Sequence, residues 1–385
     1  MSVPSQESAS GIGVNFYQSP IQGGGFIDRY HDVINYTHTI QAFGGFDTCS
    51  FGVVESLSDL EDWFENGLGR IVRVFSETGS PMWEGFVDRV ILSEGGLEVS
   101  RGPLLDIGNK VNVWYSSFDF GATPPIPGIR KETVAGDALE SQAKYGIVYK
   151  IMSAAGVSDT NAVQLRNTYL IENSLPIVTS TYSFSNIPYS LQIECRGFAH
   201  WLTYPYNKLT AGFTTLSAKI IDLLGADPNS LISTDYSHIQ TNTYILPFWE
   251  IDEQPAIGIL KGLIALGDAS ENRYLFGIYE DRVAYYNVVP SSVEFFMRLG
   301  DPNRNIIDTH GSVIEPWQMR PGKWVCFTNF MPGFTPEGLT LREDPRNMFI
   351  ESVEFTAPNQ LALVGGKTTK LEQKLARYGL AGISS

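Results

Sequence analysis

Carboxylates are the residues whose type and spacing could do chemistry in this sequence. Glu84 and Asp88 stand four residues apart in an alternating stretch, and glycoside hydrolysis needs only two such groups. On one extended strand they would share a face about 13 Å apart, which is too wide for direct glycosidase geometry. A second acidic group, at 250–253, precedes a helix predicted after Pro255 and suits the charge preference of a helix N-terminus. We therefore predict no catalytic residue.

Histidine and cysteine give no sign of a metal or a nucleophile. The five histidines are never at metal-ligand spacing with a second His or Cys, and stand at positions 31, 38, 200, 238 and 310. Cys49, Cys195 and Cys326 lie far apart and are odd in number, so they form neither a disulfide framework nor a metal knuckle. Phosphate-binding, zinc-protease and serine-hydrolase motifs do not occur. We predict no cofactor, no metal and no enzymatic activity.

The chain has seven tryptophans, and a sugar-binding protein could use such side chains to stack on sugar rings. Most stand in alternating segments beside apolar neighbours, where burial in a core is the default. We predict structural or interface roles for a set of aromatic and acidic residues, namely Trp83, Glu84, Asp88, Trp114, Trp317 and Trp324. A glycan-binding or glycan-cleaving protein on a β scaffold is the alternative hypothesis.

Composition describes a well-packed globular protein. The chain of 385 residues is long enough for two or three domains, with 43% apolar and 18% charged residues. A formal net charge of −15 without any basic run argues against binding to nucleic acid phosphates. The N-terminal stretch has no secretory signal pattern, and no segment reaches the roughly 20 apolar residues of a membrane helix. We expect a soluble protein made in a reducing cytoplasm.

Period-two alternation dominates the sequence and predicts a mainly β fold with α+β insertions. Residues 82–99 alternate on both sides of Glu94-Gly95-Gly96 and predict a hairpin with a tight turn. A short helix starting near Ser58 and ending at Gly67 interrupts the first set of strands. Helices are also predicted in four later segments, at 138–155, 160–174, 214–226 and 255–268.

These patterns divide the chain into five predicted parts, with a boundary at the Pro- and Gly-rich segment 121–130. The first strand-rich set has the pattern of a small antiparallel barrel or sandwich. The parts are an extended N-terminal arm (1–40), a first β-barrel (41–117), a mixed α/β insert (118–182 and 213–299), a second β-barrel (183–212 and 300–365) and a C-terminal amphipathic helix (366–385).

A succession of short segments resembles the baseplate hub and tail-tip proteins of tailed bacteriophages. In that family a small barrel with one helix is built around a hairpin that starts with an aromatic residue and a glycine. The matching segments here are Gly44–Asp47, Asn66–Arg70, Trp83–Gly85 and Asn109–Tyr115. Residues 193–206 resemble the start of a second such barrel, and residues 313–330 resemble its continuation.

The resemblance implies a structural virion protein that assembles into a ring. A trimer with two barrels per chain would match a hexameric tail tube or distal tail protein above and a threefold spike or fibre below. DNA would pass through the lumen without specific binding, and an acidic wall suits that passage. The chain would be assembled in the host cytoplasm and reside at the tail tip or baseplate. A hexameric distal-tail adaptor is an alternative within the same class.

Overall fold

A computed structural model describes most of the chain and shows a mainly β protein with few helices. The described residues are 11–31, 33–53, 57–119, 126–184, 190–206, 214–246, 254–303, 305–330, 338–358 and 360–365. The acidic group at 250–253 and the predicted C-terminal helix at 366–385 lie outside these ranges, as does the side chain of Ser58.

Strands occur along the whole described chain. The first eight are β1 (Gly13–Tyr17), β2 (Phe26–Tyr30), β3 (Ile34–Gln41), β4 (Phe43–Val53), β5 (Ile71–Phe75), β6 (Pro81–Glu94), β7 (Leu97–Arg101) and β8 (Lys110–Ser116). The next eleven are β9 (Phe118–Asp119), β10 (Ile126–Pro127), β11 (Lys131–Glu132), β12 (Gly136–Asp137), β13 (Tyr149–Ala155), β14 (Val178–Tyr182), β15 (Ser190–Arg196), β16 (Pro205–Tyr206), β17 (Thr214–Thr215), β18 (Ile245–Leu246) and β19 (Gln254–Pro255). The last eight are β20 (Tyr274–Ile278), β21 (Ala284–Val288), β22 (Phe295–Met297), β23 (Ile306–Asp308), β24 (Val313–Ile314), β25 (Trp324–Phe327), β26 (Asn347–Thr356) and β27 (Gln360–Gly365).

The α-helices of the described residues are α1 (Leu57–Asn66), α2 (Leu139–Tyr145), α3 (Asp159–Asn173), α4 (Leu216–Leu224) and α5 (Ala256–Leu266). Their ends follow local chemistry. The Thr215 side chain accepts a hydrogen bond from the Ala218 N–H and caps α4, which ends before Gly225. Pro255 stands directly before α5, as predicted. The predicted helix at 138–155 is wrong in its second half, because the chain turns at Gly146 (φ 82°) and continues as β13.

The predicted hairpin at 82–99 is formed by β6 and β7. Glu94 pairs with Leu97, so Gly95 and Gly96 are the two residues of the turn. Their φ angles of 54° and 91° are both positive, which is the requirement of the hairpin turn that matches strand twist. Glycine meets this requirement at the lowest steric cost.

One branched sheet joins seventeen of the strands. The strand β15, predicted to open a second barrel, lies between β4 and β6 of the predicted first barrel and pairs with both. The β-strand composition of the fold is as predicted, but the pairings among described residues form no closed barrel. An alternating pattern specifies that a segment is a strand without specifying its partner, and the partner here comes from a distant part of the chain.

The described part of the predicted N-terminal arm differs from an extended arm. The strand β1 pairs with both β2 and β5, and Val14 and Phe16 are fully buried in the main hydrophobic core. Phe16 packs edge-on against Trp63 of α1 at a centroid distance of 4.4 Å. Glycine-rich sequence surrounds β1, so the local pattern does not show that the inward-facing residues of this strand are apolar.

A second, smaller sheet is built around β8. This strand lies within the predicted first barrel (41–117), but it pairs with β11, β12 and the parallel strand β13. The helix α3 packs on this sheet through Ala162, which joins Val113 and Tyr115 in a small separate core. Another small core lies under β22–β26 and contains Ile306, Val325 and Ile350.

Two cysteines meet at the centre of the large sheet. Cys49 on β4 and Cys195 on β15 are direct register partners, and both are buried free thiols. Burial raises the pKa of the Cys195 thiol well above its usual range. Their separation of almost 150 positions in the sequence gives no sign of this pairing.

Candidate functional site

The hairpin of β6 and β7 runs from the core to solvent. Residues 82–88 are buried, whereas the outer end of β6 and most of β7 are partly or fully exposed. Trp83 anchors the inner half because it is almost completely buried, with its ring 6.0 Å from that of Phe46. The inner half of the hairpin therefore belongs to the core and the outer half to the surface.

Glu84 is held inside the protein by two partners. Its exposed fraction is 3%, and its Oε1 lies 3.3 Å from the Arg73 guanidinium. Its Oε2 accepts a hydrogen bond of 2.7 Å from the backbone N–H of Asp281, a residue in the left-handed region (φ 56°). Burial outweighs these favourable contacts and raises the pKa of Glu84 to about 7. The carboxyl group of Glu84 ties β6 to the turn after β20, so it lies inside the chain and not on a solvated surface.

Asp88 is likewise buried, with an exposed fraction of 4%. Val87 and Arg89 pair with consecutive residues of β15, so Asp88 is the extra residue of a β-bulge. Its carboxylate accepts hydrogen bonds from Arg196 Nε at 2.7 Å and from the Leu105 backbone N–H at 3.2 Å. Each of the two carboxylates predicted from the sequence therefore has its own arginine and an internal structural role.

Three of the segments that carry the family resemblance meet at this hairpin. A Cβ on Gly85 would lie 2.2 Å from the Arg196 carbonyl oxygen, and a Cβ on Gly197 would lie 1.7 Å from that of Phe46. The backbone N–H of Gly197 donates to the Asp47 carbonyl oxygen at 2.7 Å. Segments 44–47, 83–85 and 193–201 thus pack backbone against backbone, which only glycine permits at these two contacts.

Sequence reasoning missed the pair formed by Asp47 and His200. His200 Nε2 lies 2.6 Å from Asp47 Oδ1 and links β4 to the turn after β15. Burial alone would raise the pKa of Asp47, but the hydrogen bond with His200 leads the contacts that lower it overall. Nothing in the spacing of these residues predicts the contact, because they meet only through the pairing of β4 with β15.

The remaining predicted tryptophans lie in different parts of the fold. Trp114, on the smaller sheet, is half-buried with the Arg130 guanidinium 3.6 Å above its ring. Trp317 is half-buried against the main core, and Trp324 is buried with its ring 5.4 Å from that of Phe349. The structure assigns each of them a packing role within the chain.

A cleft with a volume of about 900 Å³ lies beside Trp324. Its wall mixes aromatic, charged and amide side chains, among them Phe43, Lys261, Glu271, Asn272, Tyr274 and Glu351. Within the ranges that the structure describes, no group of three or more His, Cys, Asp or Glu residues could hold a metal ion. No helix in those ranges is long and apolar enough to cross a membrane.

Comparison with known proteins gives structural likenesses only. No protein-family model and no curated protein matches the sequence. The chain is similar to the 43 kDa tail protein of prophage MuSo2 from Shewanella oneidensis, with 9% identity over 94% of this chain and 98% of that one, at a TM-score of 0.40. It is also similar to a tail protein from Neisseria meningitidis MC58, with 9% identity over 94% and 99% of the chains, at a TM-score of 0.43. Since both TM-scores lie below 0.5, neither likeness carries an argument about function.

Proposed function

We propose that this protein is a structural, non-enzymatic component of a bacteriophage tail, located at the tail tip or baseplate. In this proposal, copies of the chain form a ring that joins the tail tube to the spike or fibre. The ring surrounds the channel through which DNA leaves the virion. Contacts between neighbouring copies complete the barrels that the strands of one chain leave open.

The observation that carries the proposal is that three of the resembling segments meet in one place. Residues 44–47, 83–85 and 193–201 belong to two predicted domains, yet they meet at the close contacts of Gly85 and Gly197. The carboxylates at this place are paired with arginines inside the chain, which supports a scaffold role instead of catalysis. The residues that carry the sequence resemblance therefore include the residues of the closest backbone contacts in this part of the fold.

The charge of the chain agrees with a conduit for DNA. A net charge of −15 repels phosphates, so a lumen lined by such subunits would let nucleic acid pass without holding it.

The test is to image the purified protein and its parent particle by electron microscopy and to measure the native mass. We expect a ring of three copies with a central channel, found at the distal end of the tail. A mass of six copies would indicate the distal-tail adaptor. A strictly monomeric chain, both free and in assembled tails, would refute the proposal.

The cleft beside Trp324 favours a second candidate function, the binding of a glycan. Aromatic, amide and carboxylate side chains in one concave wall are the groups that recognise sugars. Retention of the purified chain by a cell-wall or surface polysaccharide would support this candidate. Release of sugars from that polysaccharide would indicate the glycan-cleaving alternative, and an absence of retention would exclude both.

A further inference from the structure

Exposed apolar side chains are concentrated in one part of the described chain. Eleven of the twenty large apolar residues that are exposed fall within residues 126–184. They are Ile129, Val134, Leu139, Val163, Leu165, Ile171, Leu175, Ile177, Val178, Tyr182 and Phe184. Exposed apolar side chains that lie together on a folded protein are typical of an interaction surface, and the rings of Tyr182 and Phe184 are in contact.

The strand β14 offers the hydrogen-bonding groups of an edge. Within the described residues it pairs with β7 alone, and all five of its residues are exposed. Gly102 N–H donates to the Ile177 carbonyl and Ser183 N–H donates to the Gly96 carbonyl, so the paired groups belong to odd-numbered residues of this segment. The N–H and C=O groups of Val178, Ser180 and Tyr182 therefore point away from β7, toward the outer edge.

The two faces of the ribbon formed by β7 and β14 differ in polarity. Directly paired residues share a face, so Val178 and Tyr182 lie on the same face as Leu97 and Val99. Tyr182 is 65% exposed, and its ring contacts that of Phe184, which is fully exposed. The opposite face is polar, where the hydroxyls of Ser100 and Thr179 lie 2.7 Å apart. The ribbon thus presents Val178 and Tyr182 on one face, which also carries Ser180 and Arg101, beside an edge without a partner among the described residues.

The charge distribution indicates which partner fits this surface. Residues 126–184 contain five Lys or Arg and five Asp or Glu, whereas the whole chain carries −15. Between Asn167 and Phe184 the single charged residue is Glu172. Two copies of an acidic chain repel each other least where each is uncharged. A basic partner, in contrast, would find only Glu172 to recognise in this segment.

We propose that the outer edge of β14, with Val178, Tyr182 and Phe184, binds a second copy of this chain by strand addition. The proposal rests on the ring assembly proposed above and names the surface that would hold neighbouring copies together. Main-chain hydrogen bonds from residues 178, 180 and 182 would give the contact its strength, and the apolar side chains would fix its orientation.

The experiment compares the variants Ser180→Pro and Ser180→Ala with the parent protein by sedimentation velocity at several concentrations. Proline removes an N–H that points to the outer edge while leaving the pairing with β7 intact. We expect Ser180→Pro to sediment as a monomer, with an unchanged circular dichroism spectrum. Ser180→Ala keeps the N–H and should assemble like the parent.

A second pair of variants tests the side chains without altering the backbone. Tyr182→Ser should weaken self-association about tenfold or more, since exposed aromatic residues dominate such contacts. Val313→Ser removes another exposed apolar side chain, outside the proposed surface, and should leave the association unchanged.

The outcomes separate this inference from the proposed function. If Ser180→Pro and Tyr182→Ser assemble like the parent, the ring stands but β14 is not its contact surface. If the parent itself is monomeric at every concentration, both proposals fail. Loss of binding to a different tail protein, with self-association intact, would also overturn the inference.

Discussion

At the scale of single residues, the carboxyl group of Glu84 has the most direct consequence for stability. A glutamate ordinarily titrates near 4.5, and burial in the fold raises the pKa of Glu84 to about 7. Between these two values the folded chain keeps a proton that the unfolded chain has released. The free energy of unfolding therefore falls as the pH rises through this window.

The variant Glu84→Gln tests this linkage. Glutamine keeps an acceptor for the Asp281 N–H but carries no titrating charge. We expect the stability of the variant relative to the parent to rise between pH 5 and pH 8, by up to about 3 kcal/mol. Urea unfolding at both pH values measures the change.

Glu98→Gln is the matched control, because Glu98 is an exposed residue of β7. It should show almost no difference between the two pH values. An equal effect of Glu84→Gln at pH 5 and pH 8 would contradict the raised pKa.

The sequence identified Glu84 and Asp88 as notable residues but not their surroundings. Alternation on one strand predicts which side chains share a face, and it does not predict whether both faces are covered. Here Arg73 comes from β5 and Arg196 from β15, so the ion pairs depend on strand pairings that no local pattern contains.

At the scale of secondary-structure elements, the contact between β4 and the segment after β15 has almost no spare space. A Cβ on Gly197 would lie 1.7 Å from the Phe46 carbonyl oxygen, and backbone atoms cannot move aside as a flexible side chain can. We expect Gly197→Ala to lower the free energy of unfolding by at least about 3 kcal/mol, measured by urea unfolding.

Gly258→Ala provides the comparison within the same protein. Gly258 is an exposed residue of α5, and a Cβ there meets no atom within 4 Å. Alanine should leave stability unchanged or raise it by up to about 1 kcal/mol, since it favours the helix more than glycine does. A mild effect of Gly197→Ala, similar to that of Gly258→Ala, would show that the two segments can separate without loss.

Secondary-structure elements whose ends depend only on local sequence signals were predicted well. The cap of α4, the proline before α5 and the two-glycine turn of the hairpin were all visible in the sequence. The strand β13 was missed because residues 149–155 are partly exposed and lack strict alternation. Its parallel pairing with β8, a tertiary contact, overrides the helical tendency of its sequence.

At the scale of the whole molecule, net charge opposes the association of copies. Screening reduces the range of this repulsion from about 30 Å at 0.01 M salt to about 3 Å at 1 M. The proposed contact at β14 is almost uncharged, so salt should not weaken it. We therefore expect added sodium chloride to shift the sedimentation of the parent protein toward larger assemblies.

Ser180→Pro should remain monomeric throughout the same salt series. Dissociation of the parent protein on adding salt would mean that ion pairs hold the copies together, and would contradict the expected contact.

The large sheet shows what the sequence could not predict. Its strands were identified as a class, but the order in which they pair brings together residues from both predicted barrels. Long-range pairing depends on the complementarity of strand faces across the whole molecule. No local segment of the sequence contains this information by itself.

The facing thiols of Cys49 and Cys195 give the sheet an internal reporter. Both lie on strands from distant parts of the chain, beyond the reach of a reagent in solution while β4 and β15 stay paired. The rate at which an alkylating compound labels them consequently measures how often the middle of the molecule opens. The same reaction, followed before and after copies associate, would show whether assembly makes opening of the interior less frequent.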